Sequence, residues 1–492
     1  MKDAYILGAD IGTTGTKTIL FRADGTPIAH AYRGYTLKTP KVGYSEHDAE
    51  EYLSALAETV REVLSGRDIA DKVVSVALST QGGTLIPTDK AGKPLAPAIV
   101  WNDHRCTAEK EMFLKEFPSA DVMYRKTGWK LGTGLPALEI RHMRENDHAL
   151  FEKVDYFLTV PSFISLRLTG KAAVDLSNAG IDQLTDIKSA SYDKALLRFA
   201  GIEEERLPVH IPSGKPIGKL SKEGAALLGL TENTLLVSGA HDQYAVALGA
   251  GATESGDILI GSGTCWVVTA LGSEPDFESN LAQSVSAVSG LWGSLLSLSS
   301  GGVCLEWLRK NIAVGEDGAL IDFKTLDREA EAVTAAEDGL FFFPFAGTYG
   351  DGRFKKASFT GLDLSHTRFH MARAVMEGIV FQIIWFLEAF KTKPGEETGL
   401  TLAGGASKSR LWAQMLADVS GLPVRIPALA DLSCVGAALL AGTGAGLYQN
   451  AKEAYLSFAV KETLLLPDPH AHARYRTIFE DYKRAAKALG SL

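Results

Sequence analysis

The chain has 492 residues, 46% apolar and 22% charged, which is material for two or three globular units and not for a disordered tail. Fifty basic against fifty-nine acidic residues give a formal net charge of −9, which argues against a nucleic-acid-binding face but leaves room for a local phosphate site. Four scattered cysteines (Cys106, Cys265, Cys304, Cys434) form no CxxC pair, so neither a disulfide framework nor a structural zinc site is expected, and a reducing compartment fits.

The N-terminus, MKDAYILGADIGTTG, has no long apolar run with a cleavage site, so no signal peptide is expected. Residues 5–10 read as a strand, 11–17 as a turn of small residues and 18–21 as a second strand, with Asp24-Gly25 as a turn dipeptide. Leu53, Leu56, Ala57, Val60, Val63 and Leu64, behind an acidic first turn, predict a helix over 48–64. The β-rich run 73–78 ends at Ser79-Thr-Gln-Gly-Gly83. A strand pair, a helix and a further strand point to an α/β layered fold.

In mid-chain a strand over 235–238 runs into Gly239-Ala-His-Asp242, and small apolar residues follow to Gly251. A strand over 257–260 ends at Gly261-Ser-Gly-Thr264, and 267–270 continues as another. This repeats the pattern of the N-terminus and reads as an internal duplication, with its boundary near 243–254. Two α/β halves would face a shared cleft, a common location for small-molecule sites. Residues 279–305 carry no charge, but they are crowded with Ser and Gly. Buried strands and a tight loop are expected there, not a membrane span, and the protein is expected to be soluble and cytoplasmic. A strand over 400–403 leads into Gly404-Gly-Ala-Ser407 and a helix with Leu411, Trp412, Met415, Leu416 and Val419 on one face, stopped by Gly421-Leu-Pro423. A strand over 424–427, a helix of small residues at 436–441 and a charged surface helix after Pro469 complete the chain.

Five motifs carry chemistry. In Asp10-Ile-Gly-Thr-Thr-Gly-Thr-Lys17 the glycines let the backbone approach a ligand, and consecutive N–H groups can cradle phosphate oxygens. Its threonines add hydroxyls, Lys17 a positive charge and Asp10 a magnesium contact. A plain hairpin turn has the same composition, and the Walker A spacing is absent. Gly261-Ser-Gly-Thr264 is a second such turn in the equivalent position of the other half, and two can hold a triphosphate from both sides. Asp242, at the end of an apolar strand, reads equally as a helix N-cap and as the carboxylate that deprotonates an attacking hydroxyl. His241 beside it reads as structural, since no second His lies at ligand spacing. Gly404-Gly-Ala-Ser407 offers a surface on which a flat purine can lie. Trp101-Asn-Asp-His-Arg105 reads as a sugar contact or as a surface Asp–Arg pair of little energetic worth.

Taken together, the set resembles the FGGY family of carbohydrate kinases, from about residue 5 to about residue 455. The most specific stretch runs from Ala357-Ser-Phe-Thr-Gly-Leu362 through His370-Met-Ala-Arg-Ala-Val-Met-Glu377, which is similar to the family's C-terminal signature. ADIGTTGTK, PAIVWNDHR, GAHDQ and LAGGASKSRLWAQMLAD stand around it in the family's order. The resemblance implies two ribonuclease H-like (actin-like ATPase) domains facing a central cleft, at 1–245 and 246–492. It implies ATP as phosphoryl donor, Mg²⁺ held near Asp10 and Asp242 as catalytic base. Gly12, Thr13, Thr14 and Lys17 fall in its first phosphate loop, and Gly263 and Thr264 in the second. Gly404, Gly405 and Ser409 fall where the family contacts adenosine, and Gly301-Gly302 resembles another nucleotide-side loop.

On the sugar side the resemblance implies Gln81, Gly82, Trp101, Asp103, Arg105 and Gln243. Xylulose-type members carry Gln-Met-His-Gly where this chain has Gln81-Gly-Gly-Thr84, so that histidine is missing. The Arg-Glu pair of glycerol-type members is also missing, which argues against glycerol. The Trp-Asn-Asp-x-Arg run agrees with the xylulose type, whereas Gln243 resembles the glycerol type. The family's Gly-Glu-Arg-Thr-Pro loop is replaced by Ala346-Gly-Thr-Tyr-Gly-Asp-Gly-Arg353. The expected activity is phosphorylation of a small polyhydroxy substrate, most readily a pentulose such as xylulose. L-xylulose, ribulose, an erythritol-type polyol and a sugar acid such as gluconate are the alternatives. A sensor without catalysis and an actin-like or chaperone-type ATPase are the rivals from other classes. The expected partners are the sugar and ATP, with no nucleic acid and no membrane, and a homodimer is among the states considered.

Overall fold

The computed structural model describes residues 4–315, 318–344, 356–395 and 398–490. The expected loop 346–353 lies outside the described residues. The chain divides into two compact units, one of residues 1–254, 273–293 and 429–460, the other of 255–272, 294–428 and 461–492.

The sheet of the first unit has six strands: β1 (Tyr5–Ile11), β2 (Gly15–Arg22), β3 (Pro27–Gly34), β4 (Val73–Thr80), β5 (Pro216–Lys219) and β6 (Leu235–His241). They lie in the order β5-β6-β4-β1-β2-β3. β1, β2 and β3 form an antiparallel meander, β1, β4 and β6 run parallel, and β5 closes the edge antiparallel to β6. β4 is buried along nearly its whole length, as its continuous run of Val, Ala, Leu, Ser and Thr requires of a central parallel strand. The helix predicted at 48–64 is Ala49–Leu64, started by the Asp48 side chain accepting from Glu50 N, with Leu53, Leu56, Val60 and Val63 buried. A second core, built on Leu85, Phe113, Leu138, Phe157 and Phe199, holds together the helices between residues 107 and 151 and the helix Lys194–Ala200.

The helix Leu432–Gly444 belongs to this first unit, although it lies nearly two hundred residues beyond β6. Small residues make its contacts. A Cβ on Gly8 of β1 would sit 2.0 Å from Cys434 O, one on Gly436 2.0 Å from Ala245 O, and one on Gly249 2.0 Å from Leu432 O. Ser75 of β4 donates to Ala441 O at 2.8 Å. This helix is thus clamped to β1, β4 and the helix Asp242–Gly249 at backbone distance.

The second unit repeats the plan. Its sheet has seven strands: β7 (Ile258–Ser262), β8 (Trp266–Gly272), β9 (Trp292–Leu298), β10 (Leu400–Gly404), β11 (Val424–Pro427) and β12 (Glu462–Leu465) lie in the order β9-β8-β7-β10-β11-β12, with the edge strand Ala282–Val285 beside β9. β7 and β8 form an antiparallel hairpin like β1 and β2. β7, β10 and β11 run parallel like β1, β4 and β6, and β12 closes the edge as β5 does. The duplication seen in the glycine turns is therefore a duplication of sheet topology. The uncharged stretch 279–305 forms the strands Ala282–Val285 and Trp292–Leu298 and the start of a helix. Among the described residues one helix, Arg368–Leu387, is long and apolar enough to cross a membrane, and 67% of its apolar window is buried. It packs against the strand Phe341–Phe343 and the helix Arg410–Ser420, as a core helix does.

Gly8→Ala is expected to destabilise the chain by about 3 kcal/mol, because the new methyl meets a backbone carbonyl that cannot turn aside. Urea unfolding checks this, and a loss below about 1 kcal/mol would show that the helix is not clamped there.

Candidate active site

The parallel strands β1, β4 and β6 end at the same sheet edge, the place where α/β sheets hold ligands. In the register Asp10 lies opposite Ser79, Ser79 opposite Ala240, and Thr80 opposite His241. This brings the ends of all three strands, and so Asp10 and Asp242, to one neighbourhood. Ser79 Oγ donates to Asp10 Oδ1 at 2.7 Å. Burial, helped by the charge of Asp242, pushes the Asp10 carboxyl up to about 6, although hydrogen bonds from Ser79 and Ser433 and the charge of Lys17 pull it down. The Lys17 ammonium is paired with Asp431, whose hydrogen bond and charge outweigh burial and hold it above its ordinary range. Asp431 precedes the helix Leu432–Gly444 in a left-handed conformation (φ 56°).

Asp242 is the first residue of the helix Asp242–Gly249, and the N-cap is His241, which makes no side-chain cap. The reading of Asp242 as an N-cap is therefore wrong: the strand expected over 235–238 runs three residues further, to His241, and the helix starts directly after it, so that His241 is the cap and Asp242 the first helical residue. Among the described residues the Asp242 carboxylate has one close partner, His241 Nε2 at 3.3 Å, and it is 34% exposed. His241 itself is fixed by its backbone N–H, which donates to Ser177 Oγ at 2.8 Å. Its Nδ1 is buried without a partner. Gly82 leaves the room for this ring: a Cβ there would stand 2.9 Å from His241 Cδ2 and 2.4 Å from Ile181 Cδ1. Gln243 follows, half-buried.

The turn between β1 and β2 is closed by Gly12 N donating to Gly15 O at 3.0 Å. Thr13 Oγ1 donates to Gln81 Oε1 at 3.1 Å and accepts from Trp101 Nε1 at 3.0 Å. Gln81 donates onward to Tyr52 Oη at 3.1 Å. The Thr14 side chain is exposed. The indole of Trp101, 49% exposed, thus leans on the candidate phosphate turn. Asp103 and Arg105 are no surface pair. Asp103 is fully buried, and both its oxygens are filled by Ser45 N, Arg105 N and the Arg105 guanidinium, at 2.6–3.0 Å. Arg105 also donates to Glu46 at 2.8 Å and lies 3.9 Å from the Tyr44 ring centre. The pair ties the loop after residue 100 to the segment 44–46.

In the second unit Gly263 and Thr264 are exposed at the tip of the β7–β8 hairpin. The first N–H groups of the helix Gly302–Asn311 hold that tip, Gly302 N to Gly263 O and Val303 N to Thr264 O, both at 3.2 Å. Gly302 must lack a side chain, since a Cβ would come 2.5 Å from Gly263 O. Gly404 (φ 97°) and Gly405 are exposed at the end of β10, and Gly405 N donates to Ser262 O at 2.6 Å. Ser409 caps the helix Arg410–Ser420 through Trp412 N at 3.1 Å.

Sequence reasoning missed Asp431 and Ser433, which reach Lys17 and Asp10. It also set His241 aside. A chance to find Asp431 and Ser433 lay in the polar Asp-Leu-Ser opening of an otherwise small and apolar helix.

Because Asp10 titrates near 6 when folded and near 3.8 when unfolded, the folded chain binds the extra proton between those values, and stability falls as pH rises through that window. Asp10→Asn removes the buried charge. It is expected to stabilise the chain by about 1–3 kcal/mol above pH 7 and to flatten the slope between pH 4 and 6. Urea midpoints at pH 4, 6 and 8 measure both, and parallel slopes in the two proteins would contradict the assignment.

Residues 5–249 match the model of the FGGY family of carbohydrate kinases, N-terminal domain, and residues 257–445 that of its C-terminal domain. The gluconokinase of Bacillus subtilis (strain 168) is 28% identical over 460 residues, 91% of this chain and 88% of that protein. The L-xylulose/3-keto-L-gulonate kinase of Escherichia coli (strain K12) is 29% identical over 493 residues, 99% and 97% of the two. The crystal structure of xylulose kinase from Rhodospirillum rubrum has a TM-score of 0.89 and 27% identity, covering 99% of each chain. The two-domain α/β architecture is that of these kinases. With both domain models matched in order along it, the chain belongs to the FGGY family of carbohydrate kinases.

Proposed function

We propose that this protein transfers the γ-phosphate of ATP to a hydroxyl of a small sugar, a pentulose such as xylulose, and that it does so in the cytoplasm. The observation that carries the reading is the partly exposed carboxylate of Asp242, free but for His241, next to the buried carboxylate of Asp10 at the ends of parallel strands. In the proposal Asp242 accepts the proton of the sugar hydroxyl as its oxygen attacks the γ-phosphorus in line. The backbone donors of Gly12, Thr13 and Thr14 meet the charge on the transferred group, and Gly263 and Thr264 form the second phosphate loop. Lys17 is the cation of the first turn. Gly302, Gly404, Gly405 and Ser409 take the nucleotide. Gln81, Gly82, Trp101 and Gln243 face the sugar, while Asp103 and Arg105 act by bracing the loop that carries Trp101. Residues 1–245 and 246–492 are proposed as the sugar-side and nucleotide-side domains.

Two carboxylates of like charge, one of them lifted by burial and by the charge of the other, are a donor set that suits Mg²⁺, with Asp10 as its holder. When bound, the ion supplies positive charge to the phosphates. A sugar acid such as gluconate is the second reading. It is favoured by the gluconokinase relative.

Asp242→Asn tests the reading. Its sugar-dependent ADP release is expected to fall by roughly 10²–10⁴-fold while ATP still binds, since only the proton acceptor is lost. Turnover near that of the parent protein would remove Asp242 as the base.

A further inference from the structure

The helical part of the first unit carries a donor set with no part in phosphoryl transfer. Cys106 is the N-cap of the helix Thr107–Glu116, and Glu109 follows one turn later. His142 sits on the helix Pro136–Asn146 with Glu139 one turn before it. The spacing is i, i+3 on both helices, so each turns its two groups to one side. One sulfur, one carboxylate oxygen and one ring nitrogen, from Cys106, Glu109 and His142, lie within 4.8 Å of one another. Among the described residues this is the one such group.

The acidic groups here are short of partners. Glu109 Oε1 takes His142 Nδ1 at 3.1 Å and Asn146 Nδ2 at 3.3 Å, but Glu109 Oε2 is buried with no partner, in a residue 1% exposed. Glu139 is wholly buried, and neither of its oxygens has a partner. Arg105, the neighbouring cation, directs its donors to Asp103 and Glu46. An orphaned carboxyl oxygen in an apolar core costs roughly 1–3 kcal/mol even when neutral, and a dication held by this cluster would satisfy that of Glu109. The His142 side chain is 21% exposed, which gives an ion a way in.

We propose that Cys106, Glu109 and His142 bind a divalent transition metal of the zinc class, with water in the fourth position. A mixed set of thiolate, imidazole and carboxylate selects such ions over magnesium or calcium, which take oxygen ligands. The donors must draw in by roughly 1 Å to reach zinc bonding distances. Binding releases the Cys106 thiol proton to solvent, and His142 ligates as the neutral ring.

The full chain, treated with a chelator and desalted, is titrated with Co²⁺ alone and followed by absorption. The expected result is one equivalent bound, with a thiolate-to-cobalt band in the near ultraviolet and tetrahedral visible bands, all displaced by Zn²⁺. Cys106→Ser is expected to abolish the near-ultraviolet band and His142→Ala to weaken binding at least tenfold, whereas Cys265→Ser leaves the band in place. Zn²⁺ is also expected to raise the melting temperature of the parent protein and not that of Cys106→Ser. The absence of any band at equimolar Co²⁺ in the parent protein, or a band that survives Cys106→Ser, overturns the proposal without reference to either variant's activity.

Discussion

Two acidic side chains are held where neither can escape the other's field. Asp10 leaves β1, and Asp242 follows β6, on either side of β4, and the parallel register forbids them to end at different levels. Burial and the charge of Asp242 lift Asp10 to about 6. Such an arrangement is unfavourable in the empty protein and becomes favourable when positive charge arrives. Serine hydroxyls from Ser79 and Ser433 hold the deeper carboxylate in place meanwhile. The shallower one keeps an open side, which a proton acceptor needs. The family's phosphoryl-transfer chemistry can be built on that asymmetry between two identical functional groups.

The asymmetry depends on glycine and other small residues more than on the acids. The helix Leu432–Gly444 delivers Asp431 and Ser433 to the ends of β1 and β2 because Gly8, Gly249 and Gly436 let backbones touch. Gly82 yields its space to His241, which in turn abuts Asp242. In the second unit Gly302 lets the helix Gly302–Asn311 grip the tip of the β7–β8 hairpin through two backbone hydrogen bonds. Each of these contacts is a close approach that a methyl group would block. A chain with 49 glycines can afford them at the cost of extra disorder when unfolded.

What the sequence made legible is what is local. The strand–turn–strand around residues 5–21 and its copy around 257–270 follow from alternation and turn composition, and the sheet order of each unit carries that repeat through six strands. Asp10 and Asp242 could be picked out because each ends an apolar strand beside small residues. Lys17 and Asp431, by contrast, are 414 residues apart, and no periodicity links them. Asp103 and Arg105 show the opposite limit: the pattern left open a sugar contact or a surface pair, and of the two the surface pair fails, since the residue at 103 is fully buried and bonded at both oxygens. Whether a charged pair lies inside or outside depends on what packs over it, here the segment 44–46, and that lies nearly sixty residues away. The carboxylates of Glu109 and Glu139 were hidden for the same reason, since each sits in an ordinary-looking helical stretch.

The most direct measurement follows both products of the reaction at once. Protein and magnesium ATP are incubated with xylulose, L-xylulose, ribulose, gluconate and glycerol in turn, and with no sugar, and phosphorus NMR reports ADP, inorganic phosphate and any phosphate monoester. ADP that appears only with one of the sugars or sugar acids, matched mole for mole by a new monoester, is the predicted result. ADP and inorganic phosphate formed at one rate whether or not a sugar is present would contradict it, and would leave the paired carboxylates serving water instead of an alcohol.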